Sequence, residues 1–245
     1  MTVSKIIFAF GLFFLVPCIV NCQYTRIPGT LKLATTSTNY LWGVNAGDQI
    51  FKCNRPCTGN WERIPGGLSQ IDAGEMEVWG VQSSGNIFKR SVDGSGSWVR
   101  IPGALKHVSA SGNGYVWGVN KDDQIFKCKM PCSGQWVLVD GSLKQIDGGY
   151  GYVYGVNVHD DIYTRPIDGS GEGWRRIPGK LKHITASGKS DVFGVNKNDQ
   201  IFRCNKPCIG EWELMSGRLK QCDATFDSFV GVNSADQIFE RRTGI

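Results

Sequence analysis

At 245 residues the chain has room for one or two domains, and all-β rings of this size often form a single unit. With 32 glycines and only 20% charged residues, its composition suits many short strands joined by tight turns and excludes a long, solvated or disordered polymer. A formal net charge of +5 without a long charge run gives no indication of a nucleic-acid-binding surface.

In chain order, the first element is the apolar run from Ile6 to Val20, which follows Lys5 and ends beside small or polar residues. This pattern predicts a secretory signal peptide over residues 1–21, cut between 18 and 21, with residues 22–245 as a single mature domain. The run falls short of the roughly 20 apolar residues that cross a bilayer, and no second one follows, so no membrane span is expected. The expected location is therefore extracellular. Of nine cysteines, Cys18 leaves with the signal; the remaining eight are an even number in an oxidising compartment.

From Tyr24 onward the chain repeats. An aromatic, two variable residues, an aliphatic, one residue and a glycine recur from Tyr24 to Gly29, Trp61 to Gly66, Trp98 to Gly103, Trp136 to Gly141, Trp174 to Gly179 and Trp212 to Gly217. Leucines at 31, 68, 105, 143, 181 and 219, Gly-Val pairs from Gly43 to Gly231 and Ile-aromatic pairs from Ile50 to Ile238 keep the same phase. Each unit holds four short apolar runs separated by turn residues, and a unit of this size cannot bury its apolar face alone. The expectation is an all-β, six-bladed β-propeller. Nothing follows the last Ile-aromatic run to supply a fourth strand, so the orphan run at Tyr24 to Ile27 is expected to complete the last blade and close the ring. Whether the Trp run lies outermost or innermost in its blade is left open by the pattern.

Cys53 and Cys57, Cys128 and Cys132, and Cys204 and Cys208 occupy one place in repeats one, three and five, which reads as three local disulfides rather than zinc sites. Arg90 and Arg165 stand there in repeats two and four, so the chain looks like three copies of a two-blade unit. The remaining pair, Cys22 and Cys222, is expected to latch the ring closure.

Loops on a rigid scaffold carry function, and the hairpin turns supply a repeated set of sugar-ligand candidates: Asn45, Asp48, Asn120, Asp123, Asn157, Asp161, Asn196, Asp199, Asn233 and Asp236. The same residue types also build turns. The lysine after each repeat leucine, at Lys32, Lys106, Lys144, Lys182 and Lys220, forms a candidate basic ring for anionic glycans at one channel mouth. The strand aromatics read as inter-blade core. Three histidines, His107, His159 and His183, do not converge with a nucleophile, and an enzyme is not expected. No metal site or required cofactor is indicated; calcium is a candidate ligand of the Asp-rich turns, which lack the spacing of a dedicated loop.

The Trp-x-x-Ile-Pro-Gly, Leu-Lys-x-Ile, Val-Trp-Gly-Val-Asn and Asp-Gln-Ile-Phe runs together resemble the tectonin-repeat β-propellers, and most closely the fish-egg lectins, from Tyr24 to Phe239. Val230 departs from the pattern where the Val-Trp-Gly run has its aromatic. The resemblance implies a secreted lectin for N-acetylated sugars such as N-acetylglucosamine, bacterial lipopolysaccharide, or both, in egg or innate defence. The competing reading is a non-enzymatic scaffold of the egg or extracellular matrix.

Overall fold

The structure, a computed structural model, describes residues 24–110, 114–186 and 190–242. The signal segment expected at 1–21 and Cys22 lie outside these residues. Among the described residues, twenty-four strands form six antiparallel four-stranded sheets, each sheet one blade. Blade 1 runs outward from Leu33–Thr36 through Tyr40–Val44 and Gln49–Asn54 to Glu62–Gly67. The innermost strands of blades 2 to 6 are Gln70–Ala73, His107–Ser109, Gln145–Gly148, His183–Thr185 and Gln221–Ala224. The leucine segment therefore leads to the channel wall and the Trp run is outermost, which resolves the strand phase.

Ring closure follows the expected plan. The N-terminal strand Thr25–Thr30 pairs antiparallel with Gln237–Arg242 and becomes the outer strand of blade 6, with Ile27 opposite Ile238. Pairing the two ends leaves blade 6 no shorter than its neighbours.

Two repeated motifs meet inside each blade. In blade 4 a Cβ placed on Gly155 would come within 2.5 Å of Leu143 Cδ1 and 2.9 Å of the Gln145 carbonyl, so the Gly of the Gly-Val pair is the hole into which the repeat leucine fits. The same contact recurs at Gly80 with Leu68. Trp42, Trp79, Trp117 and Tyr154 beside these glycines are wholly buried and provide the largest side chains of the inter-blade core.

The disulfides Cys53–Cys57, Cys128–Cys132 and Cys204–Cys208 form as read from the sequence. In blades 2 and 4, Arg90 donates to the carbonyls of Gly94 and Ser95 and Arg165 to that of Ser170, so a guanidinium ties the loop where odd blades use sulfur. Cys22, one half of the expected Cys22–Cys222 latch, lies outside the described residues. Among the described residues Cys222 has no disulfide partner; it is wholly enclosed on the innermost strand among Leu219, Phe193 and Phe229. It fills the place of Ile71 and Ile146 as a small apolar side chain, with burial raising its thiol pKa well above the usual range.

Closure is reinforced at the channel by polar clasps. The residue four after each repeat leucine alternates between hydroxyl and carboxyl: Thr35, Asp72, Ser109, Asp147, Thr185, Asp223. Each aspartate joins its even blade to both odd neighbours. Asp147 accepts from Ser109 Oγ at 2.8 Å and the Ala186 amide at 2.6 Å, while Asp223 accepts from Thr185 Oγ1 at 3.0 Å, Thr35 Oγ1 at 2.7 Å and the Thr36 amide at 2.8 Å. Asp72 accepts from the Ala110 amide at 2.6 Å. Gln70, Gln145 and Gln221 add paired bonds to the backbones of Val108, Ile184 and Ala34. Blade 6 thereby grips blade 1 as blade 2 grips blade 3.

Candidate binding face and inter-blade clefts

The hairpin turns and the crossings between blades share one face of the ring. Each crossing donates the repeat leucine's amide to the preceding blade's turn carbonyl, as Leu68 to Asp48 at 2.9 Å and Leu219 to Asp199 at 2.9 Å. Within the turn, Asn45 Oδ1 accepts the amides of Gly47 and Gln49 at 3.0 and 2.9 Å, and Asp48 takes φ 60°, a left-handed conformation that Asp tolerates. Asn120, Asn157, Asn196 and Asn233 repeat this cap. The side-chain oxygens of the five predicted asparagines are thus engaged in holding their own turns.

The two predicted sets lie side by side, each lysine against a turn aspartate. Lys32 pairs with Asp48, Lys106 with Asp123, Lys144 with Asp160 at 2.5 Å, Lys182 with Asp199 and Lys220 with Asp236. A ring of free ammonium groups is therefore corrected to a collar of alternating charge, interrupted at blade 2, where Ser69 and Gly85 stand in these places. Blade 4 also corrects a register: Asp160, at φ 64°, is the turn aspartate, whereas predicted Asp161 sits one residue on and binds Lys180 at 2.8 Å and Arg176 at 2.5 Å. Those two cations, bonding to it, lower its pKa to about 2.

Between neighbouring blades, on this face, lie clefts that the sequence reading did not single out. The cleft of blades 1 and 2 has a volume of about 100 Å³ and is walled by Ile50, Gly66, Leu68, Gln82, Phe88 and Trp98. The cleft of blades 5 and 6 is built from the equivalent places and reaches about 280 Å³. Of the predicted turn set, Asn233 reaches this cleft's wall. The outer-strand tryptophans, expected to be inter-blade core, are half-buried and packed against the inter-blade clusters, Trp98 also lining the cleft of blades 1 and 2, and they bridge blades with their polar edge. Trp61, Trp98, Trp136, Trp174 and Trp212 donate Nε1 to the carbonyls of Pro28, Pro65, Pro102, Asp140 and Pro178 at 2.7 to 2.9 Å. The glycine after each carbonyl allows this approach: a Cβ on Gly103, at φ 120°, would lie 2.8 Å from Trp136 Nε1.

The channel is narrow, with space of about 20 Å³, room for about one water. Burial and the charges of Asp147 and Asp72's other neighbours raise the carboxyls here: Asp72 lies well above the usual range, and Asp223 is pushed up to about 7 by burial and then by Asp147. His107 and His183 face each other with ring centroids 6.4 Å apart, and their buried Nδ1 atoms have no hydrogen-bond partner. Burial, aided by Lys106, lowers His107 to about 4; burial with His107 and Lys182 lowers His183 to about 3. Among the described residues, no group of three or more His, Cys, Asp or Glu is placed to hold a metal ion, and no helix is long and apolar enough to cross a membrane.

The tectonin domain family matches residues 15–95 and 67–245, and the chain belongs to that family. A 35-residue stretch, 14% of this chain, is 60% identical to lectin L6 of Tachypleus tridentatus and spans 16% of that protein. Among solved structures, U3-55K is similar with a TM-score of 0.67 at 8% identity, covering 91% of this chain and 99% of that one. Yeast RCC1 (Prp20), seen bound to Kap60, gives a TM-score of 0.61 at 8% identity over 85% and 69% of the two chains. At such identities these likenesses establish the propeller fold.

Proposed function

We propose that this protein is a secreted, non-enzymatic lectin that recognises N-acetylated sugars, such as N-acetylglucosamine, and bacterial lipopolysaccharide through its repeated inter-blade clefts, in egg or innate defence. The observation that carries this reading is the recurrence, between blades 1 and 2 and between blades 5 and 6, of a cleft with apolar and aromatic walls and a turn amide at its mouth. Such walls take the apolar face of a pyranose or an acetamido methyl, and the Gln82 and Asn233 amides, which also hold their own turns, each keep one side-chain N–H to donate to a hydroxyl. The lectin relative and the tectonin family support sugars as the ligand class. Weak sites set around a rigid ring raise avidity on a dense glycan surface when several engage together.

Glycan-array binding of the oxidised mature chain, with free-sugar competition, tests the reading. Capture on N-acetylglucosamine-terminated glycans, displaced by the free sugar and weaker for glucose, is expected. Capture by proteins alone, indifferent to every sugar, would instead favour an extracellular scaffold. The collar bears on lipopolysaccharide: because each lysine is already paired with an aspartate, phosphate must compete with a carboxylate there, and binding through sugar rings is favoured over binding through the lysines.

A further inference from the structure

Five of the six outer strands are preceded by Trp; the sixth is preceded by Tyr24. No indole reaches the carbonyl of Ser216, the counterpart of the five that accept from tryptophan, and the cleft of blades 5 and 6 opens to about 280 Å³ against about 100 Å³ for its counterpart. That volume lies just under the usual range for small-molecule pockets, about 300–1,000 Å³, and suits one monosaccharide rather than a chain. Its floor is apolar, made by Tyr24, Ile201, Leu219 and Phe239.

The mouth of this cleft carries an uncompensated cation. In blade 4, Lys180 lies opposite Asp161 in the strand register, and the two form an ion pair at 2.8 Å. Arg218 holds the same place in blade 5, but the residue opposite is neutral Gln200. Arg218 is exposed and donates one Nη1 bond to the Asn198 carbonyl at 2.7 Å; among the described residues it makes no ion pair. A guanidinium has five N–H donors in a planar fork matched to a carboxylate, so most of this one's capacity faces the cleft mouth unspent. Its near neighbour Lys220 is satisfied by Asp236.

We infer that the cleft of blades 5 and 6 is a distinct subsite for an acidic sugar, a pyranose whose ring rests on the apolar floor and whose carboxylate takes, on Arg218, the place Asp161 takes on Lys180. The inference rests on the lectin reading and adds to it a ligand charge and a single cleft.

Titration calorimetry of the mature chain with three probes tests it: N-acetylneuraminic acid, with carboxylate and acetamide; glucuronic acid, with carboxylate alone; and N-acetylglucosamine, with acetamide alone. Both acids are expected to bind one site. Arg218→Gln should weaken the acids at least tenfold and leave N-acetylglucosamine unchanged. Gln200→Asp, which supplies an internal carboxylate without filling the cleft, should do the same, whereas Tyr24→Trp should remove the site for every probe and lower the stoichiometry by one. Binding of N-acetylglucosamine but of neither acid overturns the subsite and leaves the lectin reading standing; equal loss of acidic and neutral sugars in Arg218→Gln also overturns it. Binding of no sugar at all overturns both.

Discussion

Replacing Asp223 by Asn tests the inner clasp while keeping its shape. Asp223 is 5% exposed, receives hydrogen bonds from Thr35, Thr36 and Thr185, and has a carboxyl pushed up to about 7. In the unfolded chain the group returns to its ordinary 3.8. Between about pH 4 and pH 7 the folded protein therefore keeps a proton that the unfolded chain releases, and this group's contribution to stability falls as pH rises through that window. A shift of about three pH units corresponds to at most about 4 kcal/mol, or roughly 8–16 °C in melting temperature for a domain of this size. Asn keeps an oxygen for Thr35 and Thr36, its amide can donate to the rotatable Thr185 hydroxyl, and it does not ionise. Urea unfolding of both proteins from pH 4 to pH 9, followed by tryptophan fluorescence, should show D223N gaining on the wild type as pH rises and levelling off above about pH 8. Taking the difference cancels the opposite contribution of His107 and His183. A difference independent of pH, or one that grows toward acid, would refute the reasoning.

The histidines supply a second test. Held neutral in the fold at about 4 and 3, they cost stability as pH drops below their ordinary 6.5, so a H107Q/H183Q variant should resist urea better than the wild type at pH 4.5 and equally at pH 8. Trp136→Phe removes the bond to the Pro102 carbonyl, which water can reach, and should cost about 1 kcal/mol in a thermal melt. Cys128→Ser with Cys132→Ser opens a loop of a few residues and should cost about 2 kcal/mol. Alkylation without reductant should leave Cys222 unlabelled in the native protein and label it after denaturation; protection in both states would mean a disulfide there.

The elements that repeat with one residue type were legible in the sequence. Trp, Leu, Gly-Val and Ile-aromatic positions recur because every blade packs the same way, and the paired cysteines fall at loop-closing distance. Features set by an alternation or a departure were harder to read. The Thr–Asp alternation at the channel follows from clasps that join odd blades to even ones, a relation between neighbours that a single repeat does not display. Asp161 was misread because blade 4 carries two adjacent aspartates, although the Asn-x-x-Asp spacing of the other four turns falls on Asp160, which takes the left-handed place. The clefts stayed hidden because their walls come from consecutive blades; the larger of the two has Tyr24 where the smaller has Trp98.

The most direct measurement is a crystal structure of the mature protein soaked with N-acetylglucosamine. Sugar density between the blades, with a pyranose or acetamido group against Phe88 and Trp98 or against Tyr24 and Phe239, is the predicted result. Sugar held elsewhere on the ring, with those clefts filled by water alone, would contradict it.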